Sequence, residues 1–156
     1  MTNKKSDLCY LDANFLICIF IPKHDFHKPS TKLLVSLLQQ KKKLLISCLT
    51  LDETWHRAWT TLQNQVPKEK RKPHSEFYND LKKILDAVLK HPSMEIVQFE
   101  NNLIQGVNNA LENIKLYSLR PRDAFHYALM QDLNIKCIVT NDKGFKKISE
   151  LKCLSY

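Results

Sequence analysis

Apolar positions along the chain alternate between short runs and helical stripes. Leu8–Leu11 is an apolar run closed by Asp12, and Ala13–Phe20 continues as an apolar stretch suited to a buried helix. Behind Pro29, which suits a helix start, Leu33, Leu34, Leu37 and Leu38 share one helical face. Lys41, Lys42 and Lys43 then complement the negative end of that helix's dipole. Residues 44–48 read as a second strand. From Thr50 to about Gln65, Leu51, Thr54, Trp55, Ala58, Trp59 and Leu62 recur at helical spacing, until Pro67 stops the pattern.

A charged connection over 68–72 leads through Pro73 to a helix predicted over 75–90, with Phe77, Leu81, Ile84, Leu85 and Val88 on one side. His91-Pro92 ends it. Residues 94–99 predict a third strand, 103–116 a helix, and Pro121 opens another helix that runs to about Leu133. Residues 137–140 form the fourth predicted strand, 142–148 a turn with a short helix, and 151–154 a weaker fifth strand. Alternating strands and helices predict an α/β fold with a mainly parallel five-stranded sheet. At 156 residues the chain suits one well-buried domain over 1–156, and no repeat or linker divides it.

Composition sharpens the picture. Twenty-four Lys and Arg against sixteen Asp and Glu give a formal charge of +8. Such a field attracts polyanions and makes nucleic acid the favoured partner, although a solvated basic surface accounts for the charge equally well. The five cysteines, Cys9, Cys18, Cys48, Cys137 and Cys153, show no close pairing and read as small buried hydrophobes in a reducing compartment. The longest clean apolar run, 15–21, is far short of the roughly 18 to 20 residues that span a bilayer. With no signal peptide before the first strand, a cytoplasmic protein without membrane association is expected.

The candidate chemistry lies in four acids, each where an apolar run gives way to a helix or turn: Asp12, Glu53, Asp123 and Asp142. Each also has a structural explanation. Asp12 suits the cap of the helix that starts at Ala13, and Thr50-x-x-Glu53 matches a capping box. Asp123 lies in a first helical turn, where negative charge favours the dipole, and Asp142 belongs to the turn sequence Asn141-Asp142-Lys143-Gly144. What links them is topology, because residues just past the carboxyl ends of parallel strands gather in one crevice. Carboxylates gathered there repel one another unless a cation holds them ionised. A hard divalent ion suits oxygen donors, whereas Zn²⁺ favours His and Cys, and His24 with His27 has no second ligand pair. Such a site suits phosphodiester hydrolysis.

At these residues the sequence resembles the PIN-domain ribonucleases, above all the VapC-type toxins of toxin-antitoxin pairs. The resemblance rests on Asp12-Ala13-Asn14, on Glu53 early in its helix, on the segment Asp123-Ala124-Phe125-His126-Tyr127-Ala128, and on Thr140-Asn141-Asp142-Lys143-Gly144-Phe145. It implies a PIN-like three-layer α/β/α fold and an Mg²⁺ or Mn²⁺ site. Asp12 and Asp123 would be primary ligands, Glu53 and Asp142 would complete the pocket, and Asn14 and Thr140 would orient ligands or the attacking water. It further implies an RNA substrate, an antitoxin partner and a homodimer. An RNA-processing nuclease without antitoxin and a non-catalytic RNA-binding adaptor fit the same residues. The resemblance also favours Glu53 over Asp52, because Glu53 fits the family's helix-start position, and helical neighbours point about 100° apart, so both would not enter one pocket.

Arg57, Arg120, Arg122 and Lys143 flank the acids and are the candidates for phosphate contact, with ion pairing to the acids as the alternative. Lys68, Lys70, Arg71 and Lys72 form a remoter basic patch, read as solvated. The 67–90 region is long for the toxin family, and suits an RNA clamp, a dimer-packing element or an embellishment. His126 suits packing or a supporting hydrogen bond more than acid catalysis, and Trp55 and Trp59 suit the core or an interface. With Gly106 and Gly144 as its only glycines, the chain has no glycine-rich phosphate cradle.

Overall fold

β1 (Leu8–Leu11) runs through the middle of a five-stranded sheet of order β3-β2-β1-β4-β5. The computed structural model describes residues 7–64 and 66–156, so the predicted helix end at Gln65 and the first six residues of the predicted domain lie outside them. After β1 come α1 (Ala13–Phe20), α2 (His27–Gln39), β2 (Lys43–Ser47), α3 (Cys48–Asn64), α4 (Tyr78–Lys90) and β3 (Met94–Val97). The chain then crosses back through α5 (Leu103–Tyr117) and α6 (Pro121–Asp132) to β4 (Cys137–Val139) and β5 (Lys152–Leu154). Every pairing among the described strands is parallel.

Period-two alternation divides the sheet between two apolar layers. Cys9, Leu11, Leu44, Ile46 and Val139 face a core built with Phe15, Leu16, Leu37 and Val88 of α1, α2 and α4. Tyr10, Leu45 and Ile138 face the opposite layer with Ala110 of α5 and Ala124, Tyr127, Ala128 and Met130 of α6. Both faces are therefore covered, as an all-parallel sheet requires, and the result is the three-layer α/β/α fold with five parallel strands expected from the sequence.

Several boundaries differ from the sequence reading for local reasons. α2 starts at His27, so Pro29 occupies its first turn, where a missing N–H costs no intrahelical bond. Lys41 adopts a left-handed φ of 56° and Lys43 enters β2, where it ion-pairs with Glu95, so these lysines turn the chain instead of lining the last helical turn. A 3-10 turn, His74–Phe77, precedes α4 and buries Phe77. Of the cysteines only Cys9 and Cys18 are buried; Cys48 is exposed at the start of α3, which corrects its reading as a core hydrophobe. Strand β3 stops at Val97, and the ring of Phe99 instead packs over Gly106 in α5.

That contact sets a test of the packing. A Cβ at residue 106 would collide with the Phe99 ring. Helix propensity favours Gly→Ala by about 1 kcal/mol, but overpacking costs about 1 to 3 kcal/mol. Gly106→Ala should therefore lower stability in urea unfolding by on the order of 1 kcal/mol. Unchanged or increased stability would mean that the ring has room to move aside.

Candidate active site

The strand order reverses between β1 and β4, and at such a switch point the loops leaving the two strands diverge and open a crevice. Asp12 leaves β1 and Thr140 leaves β4, joined through Asp12 N–H donating to Val139 C=O at 3.2 Å. From β2 the chain passes directly into α3, which carries Glu53 in its second turn, and the start of α6 brings Asp123.

Asp12 terminates the backbone of α1 without a side-chain capping bond. Its Oδ2 instead accepts from Thr140 Oγ1 at 2.7 Å and from Asn14 Nδ2 at 3.3 Å. Thr140 Oγ1 in turn accepts from Asp142 N–H at 3.0 Å. Asp142 fulfils its turn role through Oδ1, which accepts from Gly144 N–H at 2.7 Å, while Oδ2 accepts from Arg120 Nη2 at 3.0 Å. Asn14, Thr140, Asp12 and Asp142 are thus one hydrogen-bonded chain across the switch point.

Glu53 has no part in starting its helix. The reciprocal cap lies three residues earlier: Thr50 N–H donates to Ser47 Oγ at 3.1 Å and Ser47 N–H donates to Thr50 Oγ1 at 3.3 Å. This corrects the Thr50-x-x-Glu53 capping box. The Glu53 carboxylate is buried against Arg122 Nη1 at 3.5 Å and His126 Nε2 at 3.4 Å, while Asp52 beside it is exposed. Burial would raise the Glu53 pKa, but the hydrogen bond with His126, helped by Arg122 and Arg57, outweighs it and holds the group below its ordinary value.

Asp123 behaves in the opposite way. Burial, then the charge of Asp142 and also that of Asp12, push its carboxyl up to about 6, against the opposing charge of Arg120 at 3.6 Å. A first-turn acid stabilised only by the helix dipole would move down. The electrostatics therefore tie Asp123 to Asp12 and Asp142.

The basic candidates divide. Arg120 bridges Asp123 and Asp142, and Arg122 meets Glu53, so both realise the ion-pair alternative while remaining largely exposed. Arg57 instead donates to Asn14 Oδ1 at 2.6 Å. Lys143 is exposed, as are Lys68, Lys70, Arg71 and Lys72. His24 and His27 are held on α1, with His24 Nδ1 3.4 Å from Cys18 Sγ and His27 Nδ1 2.8 Å from the Cys18 carbonyl. Trp55 and Trp59 are half-buried, and His74 stacks on Trp59 at 4.4 Å.

Among the described residues no three His, Cys, Asp or Glu side chains stand together at ligand distance. Arg120 lies between Asp123 and Asp142, in the position of a counter-charge. The donor set is nonetheless one of oxygens only, from Asp12, Asp123, Asp142, Glu53, Asn14 and Thr140, and burial together with the charge of Asp142 keeps Asp123 raised despite Arg120. These features fit a hard divalent cation. Tyr10, inside the apolar run of β1, belongs to the same neighbourhood; its phenol reaches His126 Nδ1 at 2.7 Å. A buried Tyr hydroxyl needs a partner, and its position two residues before Asp12 was the available signal.

A parallel α/β/α sandwich with a carboxylate crevice at its switch point defines the class as PIN-like. The chain belongs to the PIN-domain family, a family of nucleases, whose model matches residues 9–151. No curated protein matches it by sequence. Its fold is similar to that of VapC20 from Mycobacterium tuberculosis, described as a sarcin-ricin loop cleaving toxin, at 16% identity and TM-score 0.63, covering 90% of this chain and 95% of that one. It is also similar to VapBC2 from Rickettsia felis bound to a promoter DNA fragment, at 18% identity and TM-score 0.60, covering 95% and 98%. A toxin-antitoxin complex from Klebsiella pneumoniae aligns at 16% identity and TM-score 0.60, covering 92% and 95%. Among the described residues no helix is long and apolar enough to cross a membrane.

The raised Asp123 predicts a pH-dependent stability. Below its ordinary value of 3.8 the group is protonated in the folded and unfolded chain alike. As pH rises toward 6 the unfolded chain ionises first, so the folded state loses stability, by about 2 to 3 kcal/mol once the folded carboxyl has ionised. In metal-free protein, Asp123→Asn should remove this loss, raising stability at pH 8 and flattening the denaturation midpoint between pH 4 and 6. A variant less stable than wild type at pH 8 would contradict the repulsion.

Proposed function

We propose that this chain is a divalent-metal-dependent endoribonuclease that hydrolyses RNA phosphodiester bonds and acts as the toxin of a type II toxin-antitoxin pair. The observation that carries the reading is the electrostatic coupling of Asp123 to Asp142 and Asp12 across the switch-point crevice. In this reading Asp12 and Asp123 hold Mg²⁺ or Mn²⁺ most directly, with Glu53 and Asp142 completing the pocket directly or through water. When bound, such a cation would lower the pKa of an attacking water and offset charge on the phosphoryl oxygens.

The remaining work falls to the chain's own groups. Thr140 Oγ1 and Asn14 Nδ2 both donate to Asp12 Oδ2, fixing that carboxylate's orientation. Arg120, Arg122 and Arg57 are poised to leave their present partners for RNA phosphates, with exposed Lys143 beside them. The net charge of +8 supports a polyanionic substrate. The relatives described as a toxin-antitoxin complex and as VapBC2 support an antitoxin partner. RNA processing without an antitoxin is the second reading, and adaptor function the third; the intact acid set disfavours the latter.

End-labelled cellular RNA should be cut to discrete products by wild-type protein with Mg²⁺ or Mn²⁺, and left intact with EDTA or by Asp123→Asn. Intact RNA in every lane, despite measurable binding, would replace this reading by the adaptor. Expression of wild-type protein should arrest growth and Asp12→Asn should relieve it; cleavage without arrest would favour the processing nuclease.

A homodimer completes the proposal, with the outer face of α5 as its interface. Leu103, Ile104, Val107 and Leu111 are 65%, 72%, 43% and 64% exposed on one arc of that helix. No Lys or Arg occurs between Lys90 and Lys115, so two copies carrying +8 each repel least where these faces meet. Sedimentation equilibrium should give a dimer at micromolar concentration for wild type and a monomer for Leu111→Glu; a wild-type monomer would remove the interface.

A further inference from the structure

Beneath the crevice lies a buried polar cluster that the proposed reaction leaves unused. The Tyr10 phenol oxygen is 2.7 Å from Ser47 Oγ, 2.9 Å from Thr50 Oγ1 and 2.7 Å from His126 Nδ1. His126 Nε2 faces Glu53 Oε2 at 3.4 Å. Tyr10, Ser47, Thr50 and His126 are all almost completely buried. A phenylalanine would fill an apolar strand position without demanding polar partners, and each buried polar group left unmatched is costly. Four of them here are mutually satisfied.

Hydrogen accounting gives the cluster a direction. Ser47 Oγ and Thr50 Oγ1 each accept a backbone N–H of the reciprocal cap and lie 3.2 Å apart, but both are nearer to the phenol oxygen, to which the inferred direction sends both hydroxyl protons. With its oxygen accepting two bonds, Tyr10 has its own proton for His126 Nδ1. In the tautomer that accepts this proton at Nδ1, the imidazole hydrogen sits on Nε2 and donates to Glu53. The sequence positions give this order its purpose. Tyr10 lies two residues before Asp12, Thr50 one turn before Glu53, and His126 one turn after Asp123. One phenol therefore ties together the segments that carry three of the four acids.

We infer that Tyr10 and His126 are positioning residues, which set the spacing of Glu53 against Asp12 and Asp123 through a Ser47/Thr50 to Tyr10 to His126 to Glu53 hydrogen-bond chain. The consequence for catalysis rests on the nuclease reading above, whereas the chain itself does not. Histidine holding a carboxylate by one nitrogen while its other nitrogen is fixed from behind is a recurrent way of orienting a site, and loss of such support typically costs about 10- to 100-fold in metal affinity or activity.

The test combines a spectroscopic and a kinetic readout on the full chain. In ¹⁵N-histidine-labelled, metal-free protein, the His126 resonances, assigned by their loss in His126→Gln, should report an unprotonated Nδ1 and a protonated Nε2. Tyr10→Phe should abolish that fixed tautomer. Tyr10→Phe should also weaken Mn²⁺ binding or lower kcat about 10- to 100-fold, with KM for RNA within about twofold. The two His126 variants separate positioning from mere packing: the Gln amide reaches the Nε2 position and can donate to Glu53, so it should keep more kcat than Asn, whose amide reaches only the Nδ1 position. Folded Tyr10→Phe with wild-type Mn²⁺ affinity and kcat, equal activity of the Gln and Asn variants, or a His126 protonated on Nδ1 would overturn the inference. Should wild-type protein cleave no RNA, the nuclease reading falls, and the tautomer and Mn²⁺ affinity still decide the positioning role.

Discussion

Carboxylates that share a half-buried crevice repel one another, and the surrounding structure is organised around that repulsion. Asp123 carries it most plainly, with its carboxyl pushed up to about 6 by burial and by Asp142 and Asp12. Glu53 moves the other way, because the His126 hydrogen bond and two arginines outweigh its burial. Arg120 supplies the counter-charge that Asp123 and Asp142 require. The same groups therefore keep an oxygen-rich crevice together, with the Arg120 guanidinium as its counter-charge.

Such a crevice needs a rigid floor. The parallel sheet provides it: both faces are covered by helices, and the strand order reverses where β1 meets β4. Thr140 Oγ1 spans that reversal, donating to Asp12 while accepting from Asp142 N–H. Tyr10 performs the corresponding task one layer lower, between β1, the start of α3 and the second turn of α6. Because interiors are densely packed, a polar link of this kind transmits position with little give.

Much of the architecture was legible because it depends on short-range patterns. Apolar runs marked the five described strands, and apolar stretches, helical stripes or a proline start marked most of the described α-helices, within a few residues at each end. The acids stood out as candidates because each lies at a junction into a helix or turn. Misreadings came where two local motifs competed. Thr50-x-x-Glu53 has the form of a capping box, but Ser47 is the residue that leaves the strand, so the cap forms with Thr50 and releases Glu53. Cys48 looked like the end of a strand and is instead the exposed first residue of α3. The lysines after α2 looked like dipole partners and instead make the turn into β2.

The sequence by itself determined the alternation of elements and the parallel α/β class, since periodicity and turn chemistry act over a few residues. Tertiary structure alone decided which partner each acid meets. Asp12 bonds Thr140 across 128 positions of sequence, and Glu53 meets His126 across 73. Neither contact has a local signature, because distances between loops at a sheet edge follow from strand order and helix packing. The direction of each pKa shift was settled there too, for burial and neighbouring charge are properties of the folded crevice and of no segment in isolation.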